Sequence, residues 1–302
     1  MRDRERPWDA ADTRLASRRR GAILRRLVRS PDGMLGLVLV VLMILVAIFA
    51  PALSPHDPAK QNIVYRLKPP FWMEEGSLGH PFGTDSVGRD ILSRVIHGSR
   101  ISIFVGLVAT AASALLGVSL GLIAGFLGGR TDSVLSRVGD VQQAIPFLVL
   151  AIAVAAMLGP GLFNLILVLV ITTWVTFFRV VRGEVLSVRE EQYVLGAQSI
   201  GASNVRIILR YILPNVAASI VVIATLLVAN MIIFEASLSF LGLGVPSSIP
   251  TWGRIVADGR EYIADEWWIA FFPGLAILIT VMGVNLVGDW LRVELDPRQR
   301  YW

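Results

Sequence analysis

Cysteine is missing from the sequence altogether. That excludes disulfides, thiolate metal centres, iron–sulfur clusters and a cysteine nucleophile. Charge is also scarce: 17% of residues are Asp, Glu, Lys or Arg, against about 25% in an ordinary soluble domain. Only two lysines occur, Lys60 and Lys68. Neither follows a glycine, so the chain carries no GxxxxGK[ST] loop for nucleotide phosphates. Histidine is limited to His56, His80 and His97. With Asp57 and Asp85, in the same hydrophilic stretch, these three could make an external metal site, but their spacing matches no ligand motif. Structural or surface roles are expected for them, and no metal, cofactor or catalytic residue is assigned to this chain. No nucleophile, base or metal set stands beside an apolar run, which argues against a membrane enzyme.

What is abundant is apolar surface. Of 302 residues, 54% are hydrophobic, and the mean hydropathy is +0.64. The first long run, residues 34–50, reads "MLGLVLVVLMILVAIFA". It exceeds the roughly 7–15 residues of a signal-peptide core, and Pro51 follows directly, so an uncleaved first span is expected. Further runs cover residues 101–127, 145–158, 162–178, 216–241 and 268–287. The run at 145–158 reaches membrane length only if 141–144 are included. The runs do not alternate with period 2, which excludes a membrane barrel, and open sheets cannot span lipid. The expected fold is an all-α membrane protein with six transmembrane helices.

The net charge of +5 does not point to nucleic acid, because the arginines stand at the ends of apolar runs rather than on one soluble face. Their distribution orients the chain instead. With six spans, 20 of the 28 Lys and Arg residues fall on the side of the termini and 8 on the other. The positive-inside rule then puts both termini in the cytoplasm. The expected organisation is an arginine-rich cytoplasmic segment at 1–33, the first transmembrane helix at 34–53, an outer segment at 54–100, a transmembrane domain at 101–288 and a cytoplasmic tail at 289–302.

A polar insert at 179–215 interrupts the lipid-like runs on the cytoplasmic side. Tyr193, Ala197 and Ile200 recur at helical spacing, as do Val205, Ile208, Leu209 and Ile212. Gly201 between them suits a left-handed position after a helix end. Ser203 fits the N-cap of a second helix, and Pro214 is expected to stop that helix before the next span. The spacing predicts two short amphipathic helices joined by a tight turn. They would either lie on the headgroups or serve as a docking knob for a cytoplasmic partner.

Other polar positions are candidates. Glu235 is the only acid deep in an apolar run. A charge at the membrane centre costs roughly 2.5–3.5 kcal/mol, so it should face the bundle interior or a helix end, and it is a candidate pathway or gate residue. Asp85, Arg89 and Asp90 in "GTDSVGRD" form a candidate outer structural motif. Asp85 and Arg89, four apart, are expected to pair on one helix face, as an ordinary surface ion pair or as part of a gate or receptor surface. Gly117, Gly121 and Gly125 make a small-xxx-small ladder, read as helix packing that could involve a second subunit.

"GAQSIGASNVRIILRYILPN", residues 196–215, resembles the cytoplasmic loop of ABC importer permeases. Gly201 matches the family glycine, and Leu213 with Pro214 the Leu-Pro that follows. Leu195, Gly196 and Ala197 stand at the Glu-Ala-Ala positions, with Leu195 in place of the usual Glu. "HPFGTDSVGRDILSRVIHGSRIS", "EASLSFLGLGVPSSIPTWG" and "GDWLRVELDPR" are similar to stretches of peptide and nickel permeases, in the same order. The resemblance covers roughly residues 25–300 and fits the C-type permease of a dipeptide, oligopeptide or nickel importer. It implies a type I importer permease fold in the bacterial cytoplasmic membrane. It also implies an ATPase-coupling helix over Tyr193, Ala197, Gly201, Ala202, Ser203, Arg206, Leu213 and Pro214.

The implied partners are a second homologous permease, two ABC ATPase subunits that bind ATP and Mg, an external substrate-binding protein and membrane lipid. Short peptides are the expected cargo, with nickel or glutathione as alternatives. The rival of another class is an ion-coupled secondary carrier, which would need paired intramembrane acids or broken helices in repeated halves. The sequence offers one buried acid and no evident repeat.

Overall fold

The computed structural model describes residues 26, 27, 30–246 and 248–295. Most of the arginine-rich N-terminal segment, and Arg298 and Arg300 of the tail, lie outside the described residues. Helix α1 (Pro31–Ile48) starts at Ser30, whose hydroxyl accepts the Gly33 amide at 3.3 Å. A short α2 (Ala50–Leu53) leads into a head segment, residues 54–90, that is irregular apart from the turn Ile63–Tyr65. Then follow α3 (Ile91–Leu127), α4 (Gly129–Gln143), α5 (Phe147–Leu158) and α6 (Leu162–Val188). Two short helices, α7 (Gln192–Ser199) and α8 (Asn204–Ile207), precede a π-helical stretch, Ile208–Ile212. The chain closes with α9 (Leu213–Phe240), α10 (Trp252–Gly259) and α11 (Trp268–Leu295).

Among the described residues, five helical stretches are long and apolar enough to cross a membrane: α1, α3, α6, the run Asn204–Phe240 and α11. The sixth expected span is not a straight helix. The chain bends by 92° between α4 and α5, at Pro146, where the residue before a proline is pushed away from helical geometry. The 12 residues of α5 measure about 18 Å, less than the roughly 30 Å of hydrocarbon. Together α4 and α5 reach membrane length as one bent span, and polar bonds dock α4 on α6. The Trp174 indole donates to Gln142 Oε1 at 2.8 Å, Arg179 to Asp140 at 2.7 Å, and Arg182 to Asp132 Oδ2 at 2.7 Å.

Helix α3 is the spine. It was expected to begin near residue 101 but starts at Ile91, capped by Asp90 Oδ2, which accepts the Ser93 amide at 2.8 Å. Its 37 residues measure about 55 Å, longer than the roughly 30 Å of hydrocarbon. The Gly117–Gly121–Gly125 ladder packs inside this chain rather than against a second subunit. A Cβ at Gly117 would stand 2.7 Å from Phe177 Cβ, and one at Gly125 would stand 2.7 Å from Val185 Cβ. The small residues let α3 and α6 backbones approach closely. Helices α1, α9 and α11 pack around the same spine.

Pro214 does not stop the second loop helix. Helical structure runs unbroken from Asn204 to Phe240. Proline lacks an amide, so the ladder must loosen in the turn before it. The π-helical stretch Ile208–Ile212 takes up that mismatch, and Asn215 Nδ2 donates to the Tyr211 carbonyl at 2.6 Å.

Candidate functional site

Two places concentrate the sequence-predicted residues, one at each end of α3. The first is the tip formed by α7 and α8. Helix α7 ends in a Schellman turn: Ala202 N donates to Ala197 O at 3.1 Å, and Gly201 N to Gln198 O at 2.9 Å. Gly201 takes φ +78°, as the sequence led one to expect, because the turn needs a left-handed residue there. Ser203 sits at the N-cap of α8, in extended conformation, without a side-chain capping bond.

The faces of these helices differ from the expected ones. Val194 and Ala197 of α7 are buried, with Ile207, Ile212 and Val216, against Val181, Val185 and Leu122. Tyr193 and Ile200, expected on the apolar inner face, look outward, and Ile200 is 84% exposed. Leu195, Val205 and Leu209 are exposed beside them. The reason is that Val194 and Ala197 already fill the space against α6, and the extra residue in the π stretch rotates α8 relative to α9. Periodicity places Val205 and Leu209 on the apolar face of the second helix, and the structure turns both outward; periodicity does not single out Leu195 as a surface residue. Ala202 is half-buried, while Gly201, Ser203, Arg206 and Pro214 are exposed. Leu213 borders a groove between α3 and the start of α9. Partial desolvation raises the Tyr193 hydroxyl above its usual pKa, with Glu191 adding to the effect.

The tip is fastened to the spine by Arg189, whose guanidinium donates to the Gly125 carbonyl at 2.9 Å. A cavity of about 710 Å³ opens nearby between α6, α9 and α11, with Glu184, Asn215 and Arg292 among its lining residues.

The second place is the head. Asp85 and Arg89 do pair, at 2.6 Å, but not on a helix. Residues 84–90 form a turn in which Asp85 Oδ1 accepts the amides of Val87 and Arg89 at 3.0 and 2.9 Å. Gly88 closes that turn with φ +76°. Nor is it an ordinary surface pair, for Asp85 is fully buried. Asp85 Oδ2 also accepts from Arg94 at 2.5 Å, and Asp258 on α10 accepts from Arg94 at 2.9 Å and Arg89 at 3.1 Å. Arg254 lies 3.0 Å from the other Asp258 oxygen. Three arginines and two aspartates thus lock the head segment, α3 and α10 together. Arg94, Arg254 and Asp258 escaped sequence reasoning, although Arg254 and Asp258 stand four apart in "WGRIVAD". Asp90 points away from this network toward His56 and His80.

Glu235 is fully buried. Its Oε2 accepts from Ser102 at 3.0 Å and its Oε1 from Ser239 at 2.7 Å. Ser102 Oγ in turn accepts the Trp252 amide at 3.2 Å. Hydroxyls, not an arginine, surround the carboxyl group, and the set joins α3, α9 and the start of α10. Of the other polar residues in spans, Thr173 bonds Ser113 across α3 and α6 at 2.9 Å. Asn164 closes the turn after α5 on the Leu158 carbonyl at 2.7 Å.

Comparison with known proteins agrees with this layout. Residues 117–301 match the family described as "binding-protein-dependent transport system inner membrane component", and residues 20–70 match the "N-terminal TM domain of oligopeptide transport permease C". The oligopeptide transport system permease protein OppC of Bacillus subtilis is 44% identical over 267 residues, 88% of this chain and 86% of its own length. The di/tripeptide transport system permease protein DppC of Pseudomonas aeruginosa is 41% identical, over 87% of each chain. The probable D,D-dipeptide transport system permease protein DdpC of Escherichia coli is 44% identical, over 89% of this chain and 88% of its own. Among solved structures, a chain of the inward-facing MetNI methionine ABC transporter superposes with a TM-score of 0.53 at 16% identity. It covers 68% of this chain and 98% of its own length, and so shares the fold.

Proposed function

The chain belongs to the binding-protein-dependent transport system inner membrane components, as a C-type permease of the dipeptide and oligopeptide branch, and from that premise we propose that it forms half of a translocation path for short peptides across the bacterial cytoplasmic membrane. The other half is a second, homologous permease. The termini and the α7–α8 tip face the cytoplasm, as the arginine distribution requires. Two ABC ATPases, which bind ATP and Mg, dock on that tip, and an external binding protein delivers peptide to the head.

One observation carries the reading: a rigid glycine turn presents Tyr193, Leu195, Ile200 and Val205 outward from a small core of its own. Exposed apolar side chains on a preformed turn are a docking surface that needs little ordering on binding. Gly201, Ala202, Ser203 and Arg206 form the crest of that surface. Ala197 supports it from beneath, and Leu213 and Pro214 carry it onto α9. Closure of the ATPases would move the tip, and the unbroken helix Asn204–Phe240 would pass the motion to the bundle, switching it between two packings. Glu235 belongs to this proposal as a gate-linked residue, because it ties the moving α9 to α10 beside the head.

The test is co-purification from membranes that hold the complete importer. ATPase subunits are expected to accompany the wild-type chain and to be lost from Gly201→Trp/Ala202→Asp and from Ile200→Asp, the latter leaving the glycine turn intact. ATP-dependent uptake of a labelled tripeptide should fall in step and resist competition by nickel ions and by glutathione. If no ATPase accompanies even the wild type, the tip is a membrane-surface helix pair and the importer reading fails.

A further inference from the structure

His56, His80 and Asp90 come from three separate pieces of chain: the segment just after α2, the turn before the ion network, and the cap of α3. One donor atom from each lies within 4.8 Å of the others. His80 Nδ1 stands 3.0 Å from Asp90 Oδ1, and His56 Nδ1 stands 3.9 Å from Asp90 Oδ2. The two imidazoles stack with centroids 4.7 Å apart, so both present a ring nitrogen to one carboxylate. This is not the histidine set suggested by the sequence. His97 turns its Nδ1 to the Ser93 carbonyl at 3.1 Å, and Asp57 and Asp85 hold backbone amides.

We propose that His56, His80 and Asp90 bind one divalent first-row transition ion, with Zn²⁺ the best match, on the head of the permease. Zinc holds nitrogen and oxygen donors at about 2.0–2.2 Å in a tetrahedron, which sets donors about 3.4 Å apart. His80 Nδ1 stands 3.0 Å from one carboxylate oxygen and His56 Nδ1 3.9 Å from the other, and one donor atom from each residue lies within 4.8 Å of the others, so side-chain rotation has to bring one carboxylate oxygen and both ring nitrogens to that spacing. Two imidazoles with one carboxylate select zinc and its neighbours over calcium or magnesium, which demand oxygen.

The supporting shell is in place. Asp90 Oδ2 is held by the Ser93 amide at 2.8 Å and the Ser93 hydroxyl at 2.6 Å. The same hydroxyl accepts the His56 amide at 3.1 Å, so one serine positions two of the three ligands. Such outer contacts orient ligands and sharpen affinity. Asp90 and His80 are nearly enclosed, while the His56 side chain is 39% exposed. That leaves an entry route and a fourth position for water. The bound ion would staple the chain leaving the first span to the start of α3.

Zn²⁺ itself is the probe. The full chain, purified in detergent and stripped with a chelator, is titrated with zinc chloride against a chromophoric chelator, with metal content read by mass spectrometry. Wild type and His97→Ala should each bind one zinc with a dissociation constant in the micromolar range or below. His56→Ala should bind at least tenfold more weakly. Zinc should raise the melting midpoint of the wild type but not of His56→Ala, while the two melt alike without metal. Absence of stoichiometric uptake by the wild type, or equal uptake by His56→Ala, would overturn the proposal and leave the cluster as a hydrogen-bonded clasp.

Discussion

At the head end of α3 the contacts are charged and enclosed; at the loop end they are apolar, and many of the side chains face outward. Arg94 and Asp85 have almost no exposed surface, whereas Ile200 and Val205 have little cover. Buried ion pairs give directional, all-or-none joints, since removing one partner strands the other. Apolar surface is forgiving in direction and gains by being covered. One end is therefore built to stay assembled without a partner, and the other to acquire one. The distinction fits the proposed role, in which the head receives substrate and the tip docks an ATPase.

Three substitutions test the contrast, in falling order of effect. Arg94→Ala takes one of two guanidinium partners from Asp85 and one of three from Asp258, and should cost about 3 kcal/mol, since each charge-assisted hydrogen bond lost contributes roughly 1.5–3 kcal/mol. The purified chain should then melt far below the wild type or fail to accumulate. A near-normal midpoint would mean that the head network is ornamental.

Next come the two turn glycines, which share nearly the same φ, +76° at Gly88 and +78° at Gly201. Alanine in either place incurs about 1–2 kcal/mol of left-handed strain. At Gly88 the new Cβ would also strike the Asn62 carbonyl, while at Gly201 nothing lies within 4 Å. Gly88→Ala should add about 1–3 kcal/mol of overpacking and so melt lower than Gly201→Ala. Equal melting of the two would erase the difference between a crowded head and an open tip.

Smallest in stability is Leu195→Asp, at an exposed position. Its stability should stay within about 0.5 kcal/mol of wild type. Capture of ATPase subunits from membranes should nonetheless drop, separating docking from folding at one residue.

Much of this layout was legible in the sequence, for reasons that also explain the gaps. Apolar runs identify spans because lipid demands length and internal hydrogen bonding, and Gly201 announced its turn because few other residues tolerate that backbone. The buried face of α7 was not legible. Tyr193, Val194 and Ala197 all fit helical spacing, and only the position of α6 decides that Val194 goes inside. Arg94 was hidden for a different reason. An arginine at the end of an apolar run reads as a topology marker, and its partner Asp258 lies 164 positions away. Asp85 and Arg89 have the spacing of a helical pair, but an Asp side chain that takes two amides of its own loop makes a turn equally well. Glu235 was found as the lone deep acid, yet its partner Ser102, 133 positions distant, is too ordinary a residue to single out. Pro214 misled because a proline in a helix has two outcomes, a stop or a local rewinding, and the sequence names the residue without choosing between them.

Helix α3 has a further consequence. Arg94 near its start must point at Asp85 and Asp258, and Gly117, Gly121 and Gly125 near its end must face α6. Each residue turns a helix by about 100°. Adding or deleting one residue anywhere between these points would swing one set of contacts round the axis and out of alignment with the other. The number of residues between Arg94 and Gly117 is thus a phase relation as much as a length. It binds two joints toward opposite ends of α3 into a single clocked shaft, one that can accept substitutions along its lipid face but no change in count.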